Sequence, residues 1–224
     1  MTEELMRYLS DEGADLVGTS SIEGLLSGRF SALPYAVTIG VRLSDAVVDE
    51  VTTGPKKLYF ANYRAVNAFL DMVATKCVGW LQRHGFNALA IPASQSTSED
   101  GYAGDFPHKT AANMAGLGFI GKNALFVSND FGPRVRLTTV LTDMPLPSDE
   151  MQPVLCGNCR ACVDACPCGA LTGRTWSRNG AREDIVDAAL CSRYMKKAYQ
   201  HIGRGVVCGI CMAVCPFGKR SKKR

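Results

Sequence analysis

The sequence predicts an α/β domain followed by a small cysteine-rich module. Apolar strands alternate with amphipathic helices over residues 1–145, a pattern typical of a sheet covered by helices. Nine of the ten Cys follow residue 155, after a segment that contains three Pro. We therefore place a domain boundary between residues 145 and 146, end the second domain at residue 218, and treat 219–224 as a basic tail.

The elements of the first domain follow from the periods of their apolar residues. Recurrence at spacings of three and four predicts helices, and short runs rich in Val and Ile predict strands. The longest helix, 57–84, carries the apolar stripe Val66, Phe69, Leu70, Val73, Cys77, Trp80 and Leu81, and Gly85 suits its C-terminal cap. In chain order we expect helix 3–13, strand 14–19, strand 35–41, helix 44–52, helix 57–84, strand 87–92, helix 109–115, strand 124–128 and strand 135–142.

Composition and charge exclude several classes of protein. The chain is 46% hydrophobic and 21% charged, which is ordinary for a globular protein with a core. No apolar run approaches the roughly 20 residues of a transmembrane helix, and the acidic N-terminus lacks the basic and apolar regions of a signal peptide. We therefore expect a cytoplasmic protein without a membrane span.

The positive charge is concentrated at the C-terminus. The last six residues hold five of the 25 basic residues, so that the rest of the chain has 20 basic and 21 acidic residues. A nearly neutral body argues against binding of tRNA or other nucleic acid. The tail is either a solubilising extension or a contact for an acidic partner protein, a nucleic acid or a membrane surface.

The first cysteine run is Cys156-x-x-Cys159-x-x-Cys162-x-x-x-Cys166-Pro167. This is the bacterial ferredoxin spacing, in which the fourth Cys ligates the other of two 4Fe-4S clusters. Short gaps let three thiolates converge on one cluster, and the following turn directs the fourth away from it. The alternative is a zinc site, which also uses paired Cys-x-x-Cys motifs, but two Cys-Pro runs with a three-residue gap favour clusters.

The second run, Cys208-x-x-Cys211-x-x-x-Cys215-Pro216, has one Cys fewer. Cys191 is the obvious source of the missing ligand. We assign Cys156, Cys159, Cys162 and Cys215 to the first cluster, and Cys166, Cys191, Cys208 and Cys211 to the second. Cys168 is expected to pack beside a cluster, with no assigned role, and Cys77 to lie in the core.

A glycine-rich segment, Gly116-x-Gly118-x-x-Gly121, matches the dinucleotide-binding fingerprint, and with Lys122 it nearly matches a phosphate-binding loop. Both motifs need a strand before the loop and a helix after it, whereas here a helix precedes and a strand follows. Asn123 also stands where a phosphate-binding loop needs Ser or Thr. The glycines therefore allow either close approach to a flat or bulky group or a tight structural turn.

The same segment carries a family resemblance. Ala115-Gly-Leu-Gly-Phe-Ile-Gly-Lys-Asn123 resembles the Ala-Gly-Leu-Gly-Trp-Ile-Gly-Lys-Asn signature of epoxyqueuosine reductases. Leu141-Thr-Asp-Met-Pro-Leu146 and both cysteine runs follow in the family's order, and Cys191 matches its isolated cluster ligand. The resemblance covers roughly residues 85–218.

This resemblance implies a reductase in which two 4Fe-4S clusters deliver electrons to a cobalamin held in the α/β domain. That domain would be similar to those of reductive dehalogenases and nitroreductases. The loop residues expected to face the corrin are Gly116, Gly118, Gly121, Lys122 and Asn123. The implied partners are an electron donor such as ferredoxin or flavodoxin and a small-molecule substrate. The second hypothesis is a ferredoxin-type electron carrier that docks to a partner enzyme.

A reductase also needs a proton donor near its substrate. Tyr102, Asp105 and His108 border the long polar loop 93–107 beside the glycine turn, and we predict that they fill this role. Tyr102 stands where the family has a catalytic Asp, thirteen residues before Ala115. The structural alternatives are that Tyr102 is a surface aromatic, that Asp105 is a turn residue and that His108 is a solvated helix start. Because this region and the C-terminal part depart from the family, its substrate is not transferred to this chain.

Overall fold

The computed structural model describes residues 1–25, 28–99, 101–203 and 207–220. Six strands lie in these ranges: β1 (Leu16–Ser21), β2 (Tyr35–Arg42), β3 (Ala88–Ile91), β4 (Gly118–Ile120), β5 (Phe126–Ser128) and β6 (Val135–Thr142). The α-helices are α1 (Thr2–Asp11), α2 (Asp45–Asp49), α3 (Lys57–Arg83), α4 (His108–Met114), α5 (Ala161–Asp164), α6 (Ala188–Tyr199), α7 (Ile210–Ala213) and α8 (Pro216–Arg220). Asp100, which flanks the predicted catalytic position, and tail residues 221–224 lie outside the described residues.

The chain forms two compact units that are interleaved in sequence. The first contains Met1–Arg42, Val66–Gly118 and Arg136–Gln152. The second contains residues 43–65, residues 119–135 and the described residues from 153 onward. The predicted boundary between residues 145 and 146 stays a prediction.

A four-stranded sheet in the order β1-β2-β6-β3 forms the centre of the first unit. β1 pairs with β2 and β3 with β6, both antiparallel, which confirms the predicted mixed α/β class. Alternate residues of β2 point to opposite faces, so Val37 and Ile39 pack with α1 and α3 while Ala36 joins a second apolar cluster with α4. Burial on both faces explains why this strand is apolar along most of its length.

The α1–α3 face contains the larger core of this unit. Leu5 and Leu9 of α1 are fully buried against the apolar stripe of α3. Cys77 lies in this core at 0% exposure, as its place in the predicted stripe requires. The stripe at helical spacing therefore identified both the helix and the face that it buries.

The second unit contains the cysteine-rich segment, the two-stranded β4–β5 sheet and helices α5 to α8. Its apolar cluster is formed by Ile120, Ala124, Cys162, Leu171 and Ile185. Strand β4 was not predicted, because its three residues lie inside the glycine-rich segment that sequence reasoning treated as a turn. Among the described residues of the chain, no helix has the length and hydropathy needed to cross a membrane.

Candidate iron–sulfur site

Four cysteines from both runs line one cavity in the second unit. Cys156, Cys159 and Cys162 come from the first run and Cys215 from the second, and the cavity has an empty volume of about 310 Å³, part of it open to solvent. Its other walls are Lys122, Asn123, Val127, Pro216 and Phe217. These are the four thiols that the sequence spacing assigned to one cluster.

Local structure directs the three thiols of the first run to this cavity. The amide of Cys159 donates to the carbonyl of Cys156 at 2.9 Å, which closes a tight turn between them. Cys162 follows on helix α5. Cys215 directly precedes Pro216, the first residue of α8, where a proline is favourable because no helical partner is needed for its nitrogen.

Burial raises the pKa of two of these thiols. It raises the pKa of Cys162 to about 11, with the neighbouring Cys215, Cys156 and Cys159 adding to the effect. The pKa of Cys215 is raised by burial as well. Because iron binds the thiolate, assembly of a cluster here must release protons.

Four further cysteines form a second group in the same unit. Burial raises the pKa of Cys211 far above its usual range, and the nearby Cys208 and Cys191 add to the rise. Burial raises the pKa of Cys191 to about 11, with contributions from Cys168, Cys208 and Cys166. Cys191 therefore lies near Cys166, Cys168, Cys208 and Cys211, and the assignment of four of these five thiols to one cluster stays a prediction.

Two features position the ligands of the second group. Asp187 is the N-cap of α6 and accepts a hydrogen bond from the amide of Leu190 at 2.8 Å, which sets the helix that carries Cys191. Gly209 lies between Cys208 and Cys211 with φ of +83°, and a Cβ there would lie 2.7 Å from the ring of Tyr59. Only glycine combines this backbone conformation with that contact.

Within the described ranges, no three His, Cys, Asp or Glu side chains form a group that could hold a single metal ion. A 4Fe-4S cluster makes a different demand, since each of its four thiolates binds a separate iron atom of a larger cube.

Cys168 is a fifth thiol beside the second group. Its Sγ lies 3.9 Å from Sγ of Cys166. Burial is the main cause that raises the pKa of Cys168. Cys168 therefore packs beside a proposed ligand of the second cluster.

The glycine-rich segment is packed against protein atoms. A Cβ on Gly116, whose φ is +67°, would lie 2.9 Å from Cβ of Asp149. A Cβ on Gly121 would lie 2.8 Å from Oδ1 of Asn123. Gly118 begins strand β4. The small size of Gly116 and Gly121 therefore serves close packing of the chain at these two positions.

Lys122 and Asn123, the other two residues predicted to bind a cofactor, border the first cysteine group. Nζ of Lys122 donates to the carbonyl of Gly157 at 2.7 Å and approaches the carbonyl of Cys159 at 3.5 Å. Only 9% of Lys122 is exposed. The segment that resembles the family signature thus ends on two residues that line the cavity of the first cysteine group.

Both ring nitrogens of His108 are engaged in the first unit. Nδ1 lies 2.8 Å from the hydroxyl of Thr139, and Nε2 lies 3.1 Å from the carbonyl of Pro92. A carbonyl only accepts, so Nε2 carries the proton and Nδ1 accepts from Thr139. Burial lowers the pKa of His108 to about 4, and the ring is therefore neutral at neutral pH.

The other two predicted proton donors lie in the loop before α4. Tyr102 and Asp105 are both partly buried. Sequence reasoning missed Asn113, which is fully buried on α4 and donates to the carbonyls of Gly118 at 2.7 Å and Gln152 at 3.0 Å. The available signal was an amide in the otherwise apolar helical run Ala111-Ala-Asn-Met114.

Comparison with known proteins gives a family match for the cysteine-rich segment. Residues 155–218 match the 4Fe-4S double cluster binding domain. The epoxyqueuosine reductase of Vibrio cholerae is 26% identical over 210 residues, which are 87% of this chain and 50% of that protein. The chain spans about half the length of this relative.

Two solved structures show the fold of almost the whole chain. A reductive dehalogenase, whose structure suggests a mechanism for B12-dependent dehalogenation, matches 98% of this chain and 33% of its own with a TM-score of 0.77 at 21% identity. An epoxyqueuosine reductase with a modified tRNA-Tyr stem loop matches 97% of this chain and 65% of its own, with a TM-score of 0.61 at 19% identity. The predicted fold class is confirmed.

Proposed function

Because the chain is a relative of epoxyqueuosine reductases and contains a 4Fe-4S double cluster binding domain, we propose that it is an iron–sulfur reductase. Electrons enter one at a time from a donor such as ferredoxin or flavodoxin. They pass through two 4Fe-4S clusters to an acceptor bound in the first unit. The observation that carries this proposal is the single cavity lined by three cysteines of one run and one of the other.

The proposed ligands are the two groups of four thiols. The first cluster takes Cys156, Cys159, Cys162 and Cys215, and the second takes Cys166, Cys191, Cys208 and Cys211. Two one-electron centres suit a two-electron reduction, since each can deliver one electron. The exchange of ligands between the two runs also links both clusters into one folded module.

Cobalamin is the acceptor to test first. When bound, it would supply a cobalt centre that accepts electrons and reduces a bound substrate. Likeness to the fold of a B12-dependent dehalogenase supports it. The space that a Cβ would take on Gly116 and on Gly121 is occupied by Asp149 and Asn123, so packing by itself accounts for both glycines. The alternative is that the substrate itself receives the electrons in the first unit.

The second candidate function is an electron carrier that transfers electrons to a partner enzyme. The packing of Gly116 and Gly121 favours it, since those glycines would then serve only the fold. The tRNA present in the structure of one relative is not proposed as a substrate, because residues 1–218 contain 20 basic and 21 acidic side chains.

Anaerobic reconstitution tests both functions. The protein should bind about eight iron atoms per chain, four for each cluster. Hydroxocobalamin is then added and removed by desalting, with a Cys156→Ser/Cys191→Ser variant as the control without clusters. Retention of about one corrin per chain, with a spectrum that changes on reduction only when the clusters are present, supports the reductase. Loss of cobalamin together with rapid electron transfer to an added acceptor protein supports the carrier. Failure to bind iron contradicts both.

A further inference from the structure

Lys122 is a buried cation at the first cysteine group. Its side chain is part of the wall of the cavity that Cys156, Cys159, Cys162 and Cys215 line. Only 9% of the residue is exposed. A buried ammonium group is costly unless it is paired with a negative charge and satisfied by hydrogen bonds.

The protein supplies the hydrogen bonds but not the negative charge. The carbonyl oxygens of Gly157 and Cys159 lie 2.7 and 3.5 Å from Nζ. Within the described part of the chain, no Asp or Glu carboxylate forms an ion pair with Lys122. A cluster held by four thiolates is anionic, and it would supply the missing counter-charge at this cavity.

The two carbonyls belong to the segment that presents the first ligands. Gly157 directly follows Cys156, and Cys159 is itself a proposed ligand. Lys122 therefore reaches from the end of the glycine-rich segment to the backbone of the ligand loop. A single side chain can both hold this loop and place a positive charge beside the cluster.

We propose that Lys122 is a positioning residue that raises the reduction potential of the first 4Fe-4S cluster. This inference rests on the proposed function in one respect, namely that the first cysteine group binds a cluster. Reduction adds one electron from the donor to the cluster without breaking a bond, so the reduced cluster is the more negative form. A nearby cation stabilises that form more than the oxidised one, and net charge and hydrogen bonding are known determinants of cluster potentials.

The decisive variants keep a long side chain at this position and either remove or retain its positive charge. Lys122→Met removes the ammonium group, and Lys122→Arg retains a cation in the same segment. Arg160→Met is the matched control, because Arg160 lies in the same ligand loop but has a side chain that is 55% exposed and paired with Asp164 at 3.7 Å. Exposed charges are screened by water, and they should affect the cluster little.

The measurement is an anaerobic potentiometric titration followed by electron paramagnetic resonance, with iron content determined on each sample. We expect Lys122→Met to retain about eight iron atoms per chain and to shift the midpoint potential of the first cluster to a more negative value. Lys122→Arg should restore most of that shift, and Arg160→Met should titrate close to the parent protein. The second cluster should be unchanged in all three variants.

Several outcomes would overturn the proposal. If the fully loaded Lys122→Met protein has the parent potential, Lys122 does not set that potential. If Arg160→Met shows an equal shift, the effect is not specific to Lys122. If Lys122→Met does not assemble the first cluster, Lys122→Gln, which is neutral but keeps a hydrogen-bond donor, provides the same comparison. Absence of iron from the parent protein would instead contradict the proposed function, and the two failures are thus distinguishable.

Discussion

The Sγ atoms of Cys166 and Cys168 lie 3.9 Å apart, on either side of Pro167. Cys168 therefore lies directly beside Cys166, a proposed ligand of the second cluster. The ferredoxin spacing selects Cys166, since it follows Cys162 by the three-residue gap of the motif.

Substitution of these two cysteines should give opposite results. Cys168→Ala is expected to retain about eight iron atoms per chain, whereas Cys166→Ala should fall to about four because the second cluster loses a ligand. Iron analysis and the absorbance of anaerobically reconstituted protein measure both. The reverse result, with loss of iron only in Cys168→Ala, would make Cys168 the ligand.

Cysteines that are far apart in sequence but bind the same cluster should have the same effect on iron content when they are substituted. Cys156→Ser and Cys215→Ser should each remove the first cluster, and the double variant should lose no more iron than either single variant. Combining Cys156→Ser with Cys191→Ser should instead remove both clusters and leave almost no iron. Iron content and spin quantification test this, with the core variant Cys77→Ala as a control that should keep about eight iron atoms. Additive losses in the Cys156 and Cys215 pair would contradict the assignment.

His108 should remain neutral under mildly acidic conditions. Its pKa is lowered by burial to about 4, against about 6.5 for an ordinary histidine. Ring nitrogen resonances, assigned by their loss in His108→Gln, should therefore stay at their neutral positions as the pH falls from 7.5 to 5.5. A midpoint near the ordinary value would show that the ring is not buried in solution as it is in the structure.

The same shift makes stability depend on pH in a defined direction. Below the ordinary pKa the unfolded chain protonates His108, while the folded chain does so only near pH 4. The free energy of unfolding should therefore fall as the pH drops between these values, by up to about 1.4 kcal/mol per pH unit from this residue. Above the ordinary pKa it should contribute no pH dependence. Urea unfolding of the parent protein and of His108→Gln at pH 7.5 and 5.5 measures this effect. An equal loss of free energy of unfolding in both proteins between the two pH values would contradict the prediction.

Arg134 is fully buried in the second unit and pairs with two carboxylates. Its guanidinium lies 2.9 Å from Asp45 and 2.8 Å from Asp49, whose side chains are 23% and 39% exposed. Asp45→Asn/Asp49→Asn leaves the buried cation without its counter-charges and should lower the free energy of unfolding by about 3–5 kcal/mol. Arg134→Met should cost less, because the remaining carboxylates stay partly hydrated.

The order of stabilities decides this prediction. Urea unfolding should rank the parent protein above Arg134→Met and Arg134→Met above the double Asn variant. Asp164→Asn, at the exposed pair with Arg160, should change stability by no more than about 0.5 kcal/mol. A double Asn variant that is more stable than Arg134→Met would show that the ion pairs are not what stabilises this arginine.

Local patterns predicted most of the fold. The stripe on residues 57–84 and the apolar run at 35–41 identified α3 and β2 within one residue of their observed ends, because helical spacing and a short apolar run are both properties of neighbouring residues. Strand β4 was missed, since a three-residue strand that contains glycine has no such signal. The sequence pattern also did not predict that the two units are interleaved, because each unit is held together by contacts between segments that are distant in the chain.

The sequence by itself determined the cysteine runs, their spacing and therefore the cluster chemistry. It also predicted that Cys215 joins the first run, because in the ferredoxin pattern the Cys that precedes Pro ligates the other cluster. Tertiary structure decided what surrounds those thiols. It placed Lys122 against the ligand loop and His108 between the hydroxyl of Thr139 and the carbonyl of Pro92. These relationships depend on how segments far apart in the chain pack, and no spacing within one segment contains that information.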